Sequence, residues 1–504
     1  MRPLSRSTAV FLLMLLIAFA PLASAQSTTA PNVSSVLLAS GTQNGSLLNI
    51  FSMTQVQTVL GSPSFGTAVK DAGNFTVVPR SLGAVSSILS ANIATALSVV
   101  PLASPASGVI FKTDPSTGVE LPADATLGPV FVERAETIGK NKFYIGITNQ
   151  DFHFTSLNGQ SLNSLVGLYA GGGQSSITLG SGQIGTAVPA SFNMSMDVRL
   201  SQNTAFITYG ATNRFDISVG LPIVHSSVAA TTYDAQIYAG EGNGKIGDCW
   251  CVNTFTPGKA PSPSNPNSLF EPLVGQSSLG RTGFGDLLLR FKGTVVDEPN
   301  FVLALGTDLR LPTGDAQNFL GTGTTSIKPF MALSLYTKQS HEIVFAPHFN
   351  LGWQYSGKSS LAGEVQGTSS TSSPALPFTT SKDFLPDVLS WAVGSEVAFG
   401  RRNTLVVDIL GDQIGLIHGI PTLETQTVSI SGLYSPVTYQ QLAGNISGLV
   451  AAPNRTSFGQ YYGAFGWKTR IAGNLIATVN FLTRFDNNGL TAKIVPLYGL
   501  GYSF

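Results

Sequence analysis

Charged residues are scarce in this sequence, and this scarcity narrows the class of protein. Only 11% of the 504 residues are charged, the 27 basic and 27 acidic residues cancel, and the mean hydropathy is +0.22. A soluble protein normally carries about a quarter charged residues, so the composition favours a protein whose surface meets hydrocarbon. The zero net charge gives no reason to expect nucleic acid or anionic lipid as the main partner.

Cysteine is nearly absent as well. Cys249 and Cys251 are the two cysteines, and they flank Trp250. Two cysteines are too few for a disulfide framework, an i,i+2 bridge is strained, and a zinc site needs about four ligands. A loop staple, or simple loop residues, is therefore a better interpretation than a metal or redox site. No metal and no cofactor are expected.

Long apolar runs are missing except at the N-terminus. Arg2 and Arg6 precede an apolar stretch at 9–20, and Ala23 and Ala25 form a small-residue cleavage site. The stretch is shorter than the roughly 20 residues that cross a bilayer as a helix. It therefore predicts a cleaved signal peptide over residues 1–25. No later run is long enough, which removes membrane helices from consideration.

Residues 301–355 show a period of two. In 301–311 and 342–355 most odd positions are apolar or aromatic, and most even positions are small or polar. Such alternation places the two sets on opposite faces of a strand. A soluble sheet buries its apolar face, whereas a membrane barrel turns that face to lipid and lines its lumen with the polar one. The period alone does not separate these structures.

The distribution of strands and loops separates them. Candidate strands are 143–154, 192–210, 214–225, 283–296, 301–311, 326–336, 342–355, 388–399, 404–412, 458–468, 475–485 and 494–504. Each is long enough to cross a bilayer when tilted, and short links alternate with long ones. This asymmetry predicts an all-β fold, a transmembrane antiparallel β-barrel of the outer-membrane type with both termini in the periplasm. We expect about 12 strands; 14 would follow if 107–137 or 413–457 adds a hairpin. A bulge or an extra hairpin is also compatible with the changed pattern near 201–203.

The N-terminal part differs from the rest. Residues 26–79 carry only weak pattern, whereas apolar residues in 80–100 recur at helical spacing, with Ser81 as a candidate cap and Pro101 after the end. Two interpretations stand side by side, a small periplasmic helix and a plug inside the barrel. The predicted domains are thus a signal peptide (1–25), an N-terminal periplasmic or plug segment (26–137) and a barrel (138–504).

The parity of the strands predicts which side chains point into the lumen. An Arg or Lys facing lipid at mid-membrane would cost about 2–4 kcal/mol, so the charged positions are placed inside. The lumen-lining candidates are Asp216, Asp286, Arg290, Lys292, Asp308, Arg310, Glu342, His348, Asn350, Glu396, Asp408 and Arg484. One interpretation is a network of salt bridges that fills a narrow barrel. The other is a permeation path, for which Phe330, Tyr336, Phe458 and Tyr462 would supply an aromatic lining.

The last strand carries a separate signal. Tyr502 and Phe504 share one face, and Gly499 lies on the other. This ending resembles the terminal insertion signal of bacterial outer-membrane barrels, although Leu497 departs from its usual polar start. The resemblance implies that the C-terminal strand contacts the barrel-assembly machinery.

Several motifs resemble a known family. They are Thr-Gly-Phe-Gly-Asp-Leu-Leu-Leu-Arg-Phe-Lys at 282–292, Ala-Leu-Gly-Thr-Asp-Leu-Arg-Leu-Pro-Thr-Gly-Asp at 304–315, Leu-Gly-Thr-Gly at 320–323 and Thr-Tyr-Gly-Ala-Thr-Asn-Arg-Phe-Asp at 208–216. Together they resemble the outer-membrane family of the phenol meta-cleavage degradation pathway, often grouped with channels for hydrophobic compounds such as fatty-acid transporters. The resemblance implies an outer-membrane barrel that assists uptake of aromatic or other apolar molecules. The long N-terminal part and the cysteine loop fall outside it.

Enzymatic interpretations have less support. His348 and Asn350 on one strand face resemble the pair of an outer-membrane lipase, but no motif places a nucleophilic Ser. The oxygen-rich stretch 312–318 lacks the full pattern of a calcium loop. We therefore expect no enzyme, but a channel in the bacterial outer membrane for passive uptake of small hydrophobic or aromatic compounds. Its partners would be outer-membrane lipids and these solutes. A water-filled porin for polar solutes and a closed structural or surface barrel remain the alternatives.

Overall fold

A computed structural model describes one helix, a barrel wall and parts of the loops. The described residues are 80–101, 111–113, 120–122, 127–169, 177–178, 184–185, 190–239, 251–255, 276–298, 300–336, 343–363, 365–367, 378–400, 402–434, 441–451 and 454–504. The predicted signal peptide with Ala23 and Ala25, the lumen candidate Glu342, and Cys249 lie outside these residues.

Twelve antiparallel strands form a closed wall. In chain order they are β1 Phe143–Phe154, β2 Ala190–Thr212, β3 Phe215–Ala239, β4 in two parts, Gln276–Phe284 and Leu287–Asp297, β5 Phe301–Leu311, β6 Ser326–Leu335, β7 Ile343–Ser356, β8 Val388–Phe399, β9 Asn403–Ile414, β10 Phe458–Ala472, β11 Leu475–Arg484 and β12 Ile494–Ser503. Strand β12 closes the wall by pairing with β1. The predicted antiparallel barrel of about 12 strands is confirmed.

The wall has an apolar outer face and a buried inner face, with the predicted parity. In β5 Phe301 and Leu305 are 39% and 53% exposed, whereas Val302 and Ala304 are 1% and 0% exposed. Aromatic pairs mark both edges of the outer face. Large apolar side chains are exposed on the other strands as well, so the outer surface is that of a barrel in contact with lipid.

These aromatic pairs lie where the strands approach the short turns or the long loops. Phe399 stacks on Trp467 with 6.0 Å between ring centroids, near the turn that links β8 to β9. Trp391 lies 6.4 Å from Tyr461 near the opposite ends of the same strands. Aromatic girdles at both membrane interfaces are typical of outer-membrane barrels.

Three strands differ from the sequence prediction. The stretch 283–296 is interrupted at Gly285 and Asp286, where the Gly285 N–H donates to Pro222 O at 2.8 Å. Strand β3 continues to Ala239, and β2 runs from Ala190 to Thr212 with neither a hairpin nor a bulge near 201–203. The alternation of apolar and polar residues does not show where β2 and β3 end, because the pairing of these two strands continues beyond the lipid.

The changed pattern near 201–203 has a physical cause in β2. On one side of this level Ile207 is 46% exposed on the outer face. On the other side the outward positions Asp197 and Arg199 are charged and 43% and 57% exposed, while Val198 and Leu200 are buried inside. The strand keeps its facing, but its apolar side switches from outer to inner as it leaves the lipid.

Beyond residues 201–203 of β2, on the side of the long loops, the barrel continues as an outer extension. Its strands are Leu165–Tyr169, Cys251–Phe255, Leu423–Tyr434 and Gln441–Ala451. The hairpin considered within 413–457 therefore exists, but β9 pairs directly with β10 along its whole length. It adds no strand to the wall, and the 14-strand alternative is wrong for this hairpin.

Short elements complete the described loops. They are the strands Ser156–Leu157, Gln160–Ser161, Ile177–Thr178, Ile184–Gly185, Lys358–Ser359, Val365–Gly367, Phe378–Thr380, Asp383–Phe384 and Leu490–Thr491, and the 3-10 turns Leu162–Ser164 and Ala316–Asn318.

The N-terminal part contains helix α1, Arg80–Val99, and a two-stranded sheet, Phe111–Thr113 with Glu120–Pro122, which does not join the wall. Helix α1 contacts Leu165–Tyr169, Gln441–Ala451 and other elements at the long-loop end. Among the described residues, no helix has both the length and the apolar character needed to cross a membrane.

Candidate functional site: the barrel interior

The barrel interior is crossed by the chain's own residues 127–138, which we call the crossing segment. Every residue of this segment is buried. Leu127 packs on Ile476 of β11, and Ala135 packs on Val302 and Ala304 of β5. These wall residues lie near the short turns, so the crossing segment spans the lumen close to the predicted periplasmic end.

The backbone N–H groups of the crossing segment find their partners on wall side chains. Outside a sheet, each buried N–H still needs an acceptor. Acceptors come from six wall residues: Thr404 Oγ1 for Leu127 (3.0 Å), Glu396 Oε2 for Gly128 (2.8 Å), Asp408 Oδ2 for Phe131 (3.1 Å), Asn350 Oδ1 for Glu133 (2.6 Å), Ser334 Oγ for Ala135 (3.0 Å) and Asp216 Oδ2 for Ile138 (3.0 Å). Several predicted lumen residues therefore bind this backbone.

The carbonyl groups of the segment are bound by wall donors. Two lysines supply most of these bonds. Lys292 Nζ donates to Arg134 O at 3.0 Å and to Glu136 O at 2.7 Å. Lys468 Nζ donates to Pro129 O at 2.6 Å and to a second carbonyl. Wall acids and neutral oxygens thus accept hydrogen bonds from the N–H groups, and wall lysines donate hydrogen bonds to the C=O groups, so inner charges of both signs bind the segment.

Ion pairs fix the side chains of the segment. Arg134, 1% exposed, donates to Glu396 through Nε (3.2 Å) and Nη2 (3.0 Å), and Glu396 is fully buried. Arg290 Nη1 binds Glu133 Oε2 at 2.6 Å, while its Nε and Nη2 bind Asp308 at 2.6 and 2.8 Å. A buried pair is costly to break from one side, so these contacts hold the segment against β4, β5 and β8.

His348 lies between Ser334 and Glu396 in an arrangement that resembles a hydrolase triad. Its Nδ1 is 2.9 Å from Ser334 Oγ and its Nε2 is 2.9 Å from Glu396 Oε1. Ser334 is completely buried, and its hydroxyl also accepts from Ala135 N and donates to Glu136 Oε2. All the contacts of this hydroxyl are thus with His348 and with the crossing segment. The arrangement braces the segment.

Asn350, the other residue of the lipase-like pair, clamps the same segment. Its Nδ2 donates to Glu133 O at 2.9 Å while its Oδ1 accepts from Glu133 N. This two-way pairing imitates a strand neighbour. It gives Asn350 a structural contact that the sequence did not suggest.

Helix α1 ends inside the wall. Arg310 Nη1 donates to Leu97 O at 2.8 Å, and Gln150 Nε2 donates to Pro101 O at 2.8 Å. A cation at a helix C-terminus also interacts favourably with the helix dipole. The helix buries both apolar and polar side chains, including Leu89 and Asn92. Of the two interpretations for 80–100, these contacts support the plug.

A small cavity adjoins this helix end. It is lined by Leu97, Gln202, Asp286, Arg310 and Leu320 among others, and it has room for about one water molecule. Polar side chains from β2, β4 and β5 meet there beside apolar ones. The cavity is too small for an aromatic solute.

Asp286, predicted to line the lumen, binds the chain's own loop between β5 and β6. It lies at the interruption of β4, and its carboxylate accepts from Gly314 N (3.1 Å), Thr322 N (2.7 Å) and Thr322 Oγ1 (2.7 Å). Thr313 Oγ1 also donates to Gly285 O at 2.8 Å. The motif pieces at 282–292, 304–315 and 320–323 therefore meet in space, where they fold the loop 312–325 inward.

Asp315 stabilises that loop. Its side chain accepts from Gln317 N and from Asn318 Nδ2. Among the described residues no group of three or more His, Cys, Asp or Glu could hold a metal ion.

The structure thus divides the described lumen candidates into three groups. Asp216, Arg290, Lys292, Asn350, Glu396 and Asp408 contact the crossing segment directly, with Asp308 and His348 bound behind them. Arg310 holds helix α1. Asp286 and Arg484 hold outer loops, since Arg484 donates to Asp486 and to Leu490 O. A role in permeation stays a prediction for all of them.

The C-terminal residues close the wall. Phe504 N donates to Phe143 O at 2.9 Å, and Phe143 N donates to Phe504 O at 3.2 Å. The rings of Tyr502 and Phe504 lie 5.0 Å apart, and Gly499 faces Thr148 of β1. Their use as an assembly signal remains a prediction.

Sequence reasoning missed two kinds of contact. Lys468 and Ser334 occupy inner positions of β10 and β6, so strand parity could have identified both. The crossing segment itself left no comparable signal, because its bonds are to side chains scattered over seven strands and not to one neighbouring strand.

Comparison with known proteins supports the family resemblance. Residues 168–402 match the model of a family described as a putative MetA-pathway of phenol degradation. The match covers just under half of the chain and includes every motif that carried the resemblance, which is confirmed. No curated protein sequence matches the chain.

Solved structures of similar fold include outer-membrane proteins. An outer-membrane channel from Pseudomonas putida F1 shows 11% identity and a TM-score of 0.36, with 73% of this chain and 98% of that chain covered. A variant of the TodX monoaromatic hydrocarbon channel shows 10% identity and a TM-score of 0.27, with 73% and 92% covered. A FadL homologue from Pseudomonas aeruginosa shows 10% and 0.26, with 79% and 94% covered.

Proposed function

We propose that this protein is an outer-membrane channel for passive uptake of small hydrophobic or aromatic compounds, and that its own N-terminal part closes it. The observation that carries the proposal is the crossing segment, which fills the lumen of a lipid-facing barrel and is attached mainly by side-chain contacts. The description of the matched family names phenol degradation, and phenol is a small aromatic compound. The inner aromatic residues Phe330 and Tyr462 suit such a solute.

If the crossing segment were released, some charged side chains of the wall would keep a hydrogen-bond partner. Arg290 keeps its two bonds to Asp308, and Glu396 keeps its bond to His348. Lys292 and Lys468 would lose their carbonyl partners. Displacement of the segment therefore costs free energy, but it does not leave every buried charge unpaired. A channel that opens transiently requires such a balance.

We also propose the route to this location. Export would be followed by cleavage after Ala25, and β12 with Gly499, Tyr502 and Phe504 would engage the barrel-assembly machinery. The mass of the protein isolated from membranes tests the cleavage, since the mature chain would begin at Gln26.

A closed barrel with a structural or surface function is the second candidate. The density of buried ion pairs between the crossing segment and the wall favours it, because such contacts suit a permanent core. A water-filled porin for polar solutes has less support, since the described interior is filled at both the helix and the crossing segment.

A reversible lock distinguishes these functions. Ala135 N lies 3.0 Å from Ser334 Oγ, so an Ala135→Cys, Ser334→Cys variant places two thiols across the segment and the wall; Cys249 and Cys251 are replaced by Ser. We expect the oxidised variant in liposomes to pass no small aromatic compound, and the reductant-treated one to reach the flux of the Ser334→Cys single variant.

The two single-cysteine variants serve as controls, since oxidation should leave their flux unchanged. Equal flux with and without the lock would contradict the plug. Absence of aromatic flux in the reduced, folded protein would favour the structural barrel, and large ohmic conductance steps in a planar bilayer would favour the porin.

A further inference from the structure

The outer end of β7, β8 and β9 carries a surface that the channel proposal does not use. We call it the outer cluster, formed by Lys358, Lys382, Phe384, Leu416, Ile417 and Arg455. It combines exposed apolar side chains with three cations. Its residues come from two loops, the one between β7 and β8 and the one between β9 and β10, so only the folded barrel brings them together.

Ring contacts join the loops of the cluster. Lys358 pairs with Phe384 in a short sheet, and its Nζ lies 5.0 Å from the centroid of that ring. His418 stacks on Phe384 with centroids 4.6 Å apart, and Tyr355 lies 5.8 Å from His418. Tyr355 is exposed on the outer face of β7, so the cluster continues the aromatic girdle at this edge.

The apolar tip is held in an exposed position. Leu416 and Ile417 are 48% and 66% exposed. Asp387, fully buried, accepts from Ile417 N at 2.8 Å and from His418 N at 2.7 Å, and its carbonyl accepts from Gly415 N at 2.7 Å. These bonds hold the backbone of the turn, which presents both apolar side chains on the outside of the barrel.

The charge of the cluster is positive. Arg455 donates to Gly419 O at 3.3 Å and pairs with Asp383. Asp383 and the buried Asp387 are two acids beside the three cations of the cluster. Lys358 and Lys382 are exposed and form no ion pair with any residue that the structure describes. The whole chain has no net charge, so this excess is a local feature of the outer edge.

We propose that the outer cluster binds a phosphorylated glycolipid of the outer leaflet. Its acyl chains would lie against Leu416 and Ile417, and its phosphates would lie between Lys358, Lys382 and Arg455. Exposed apolar side chains next to cations match a molecule that carries several acyl chains and phosphate groups, and cations near a membrane surface attract anionic head groups. The inference rests on the proposed outer-membrane location but not on transport.

The test measures binding of bisphosphorylated lipid A to the refolded full-length protein in neutral detergent, by native mass spectrometry. We expect the Lys358→Gln, Lys382→Gln double variant to bind about 30-fold more weakly, the loss expected for two cations near an anionic head group. The Leu416→Ser, Ile417→Ser variant should also bind more weakly, because it removes the acyl contact.

Matched controls lie at the opposite end of the barrel. Lys140→Gln with Arg402→Gln removes two exposed cations, and Ile471→Ser removes an apolar side chain that is 55% exposed; both should bind as the parent does.

Equal binding of dephosphorylated lipid A or of phosphatidylglycerol by the parent would overturn the proposal, as would an equal loss in the controls. These lipid comparisons use the parent protein, so they decide even if a variant fails to fold. Lipid binding without aromatic flux would leave this inference standing and contradict only the channel.

Discussion

At the scale of single residues, the inner charges act as partners for a backbone. A chain that crosses a lumen has no strand beside it, so its N–H and C=O groups must bind side chains. Glu396 shows how much one residue contributes, because its two oxygens accept from Gly128 N, from Arg134 and from His348. Both signs of charge are required inside the barrel for this reason.

Glu396→Gln tests this contribution. The substitution keeps the volume but leaves Arg134 buried without its counter-charge, so we expect the free energy of unfolding to fall by about 3–5 kcal/mol. Urea denaturation of the refolded protein in detergent measures it. The exposed Glu298→Gln at a short turn is the control and should change little; an equal effect of both would show that Glu396 is not special.

Gly394 permits the close approach of the segment to β8. An added Cβ would clash with Asp408 Oδ1 and would lie 2.7 Å from Val132 Cγ2. Gly394→Ala should therefore displace the segment, with a loss of about 1–3 kcal/mol from overpacking and a rise in channel conductance. At Gly293 the nearest atom would be 3.7 Å away, so Gly293→Ala should keep the parent's conductance. Unchanged conductance in Gly394→Ala would argue against a movable segment.

At the scale of elements, the N-terminal part occupies the barrel at two levels. The crossing segment lies near the short turns, and the end of helix α1 lies nearer the long loops. Arg310 is the described link between the helix backbone and β5. The two elements use different wall residues, so each can be perturbed without the other.

Arg310→Ala should loosen the helix end. Loss of the bond to Leu97 O and of the charge at the helix C-terminus costs up to about 2 kcal/mol, which corresponds to roughly 30-fold faster amide exchange in 88–99. Hydrogen–deuterium exchange with mass spectrometry measures this directly. Exchange in the crossing segment should stay as in the parent. Arg402→Ala, at the exposed turn between β8 and β9, serves as the control, and unchanged exchange in the helix would contradict the docking of α1 through Arg310.

At the scale of the whole molecule, the apolar outer surface and its aromatic edges set the position in the membrane. Phe465 lies in the middle of β10, paired with Phe481, and is 58% exposed. Phe143 lies at the first position of β1 and is 44% exposed. Phe465 and Phe143 are similarly exposed, but they lie at different depths in the lipid.

This difference yields a paired prediction. Phe465→Arg should lower the free energy of unfolding in bilayers by about 2–4 kcal/mol, whereas Phe143→Arg should cost only about 0–1 kcal/mol, because the penalty falls towards the interface. Reversible folding into lipid vesicles measures both. Equal costs would mean that the outer face does not sit in hydrocarbon as proposed.

The amino-acid sequence by itself determined the wall of this protein. Alternation in stretches such as 301–311 sets which face of a strand is apolar, and the order of short and long links sets antiparallel neighbours, so strand number and parity could be predicted from local patterns. Even the misread change near 201–203 was a true local signal, since it marks where β2 leaves the lipid. Local periodicity is sufficient because each strand needs only its neighbour and its surroundings.

Only the tertiary structure decided what fills the wall. The bonds of residues 127–138 go to side chains such as Glu396, 268 residues away from Gly128, and no periodic pattern encodes contacts of that separation. The assembly of Asp286 with Thr322, and that of Phe384 with His418, depend in the same way on loops that meet only after the barrel closes. The sequence therefore predicts a polar interior, whereas the closed barrel determines that this interior is occupied by its own chain.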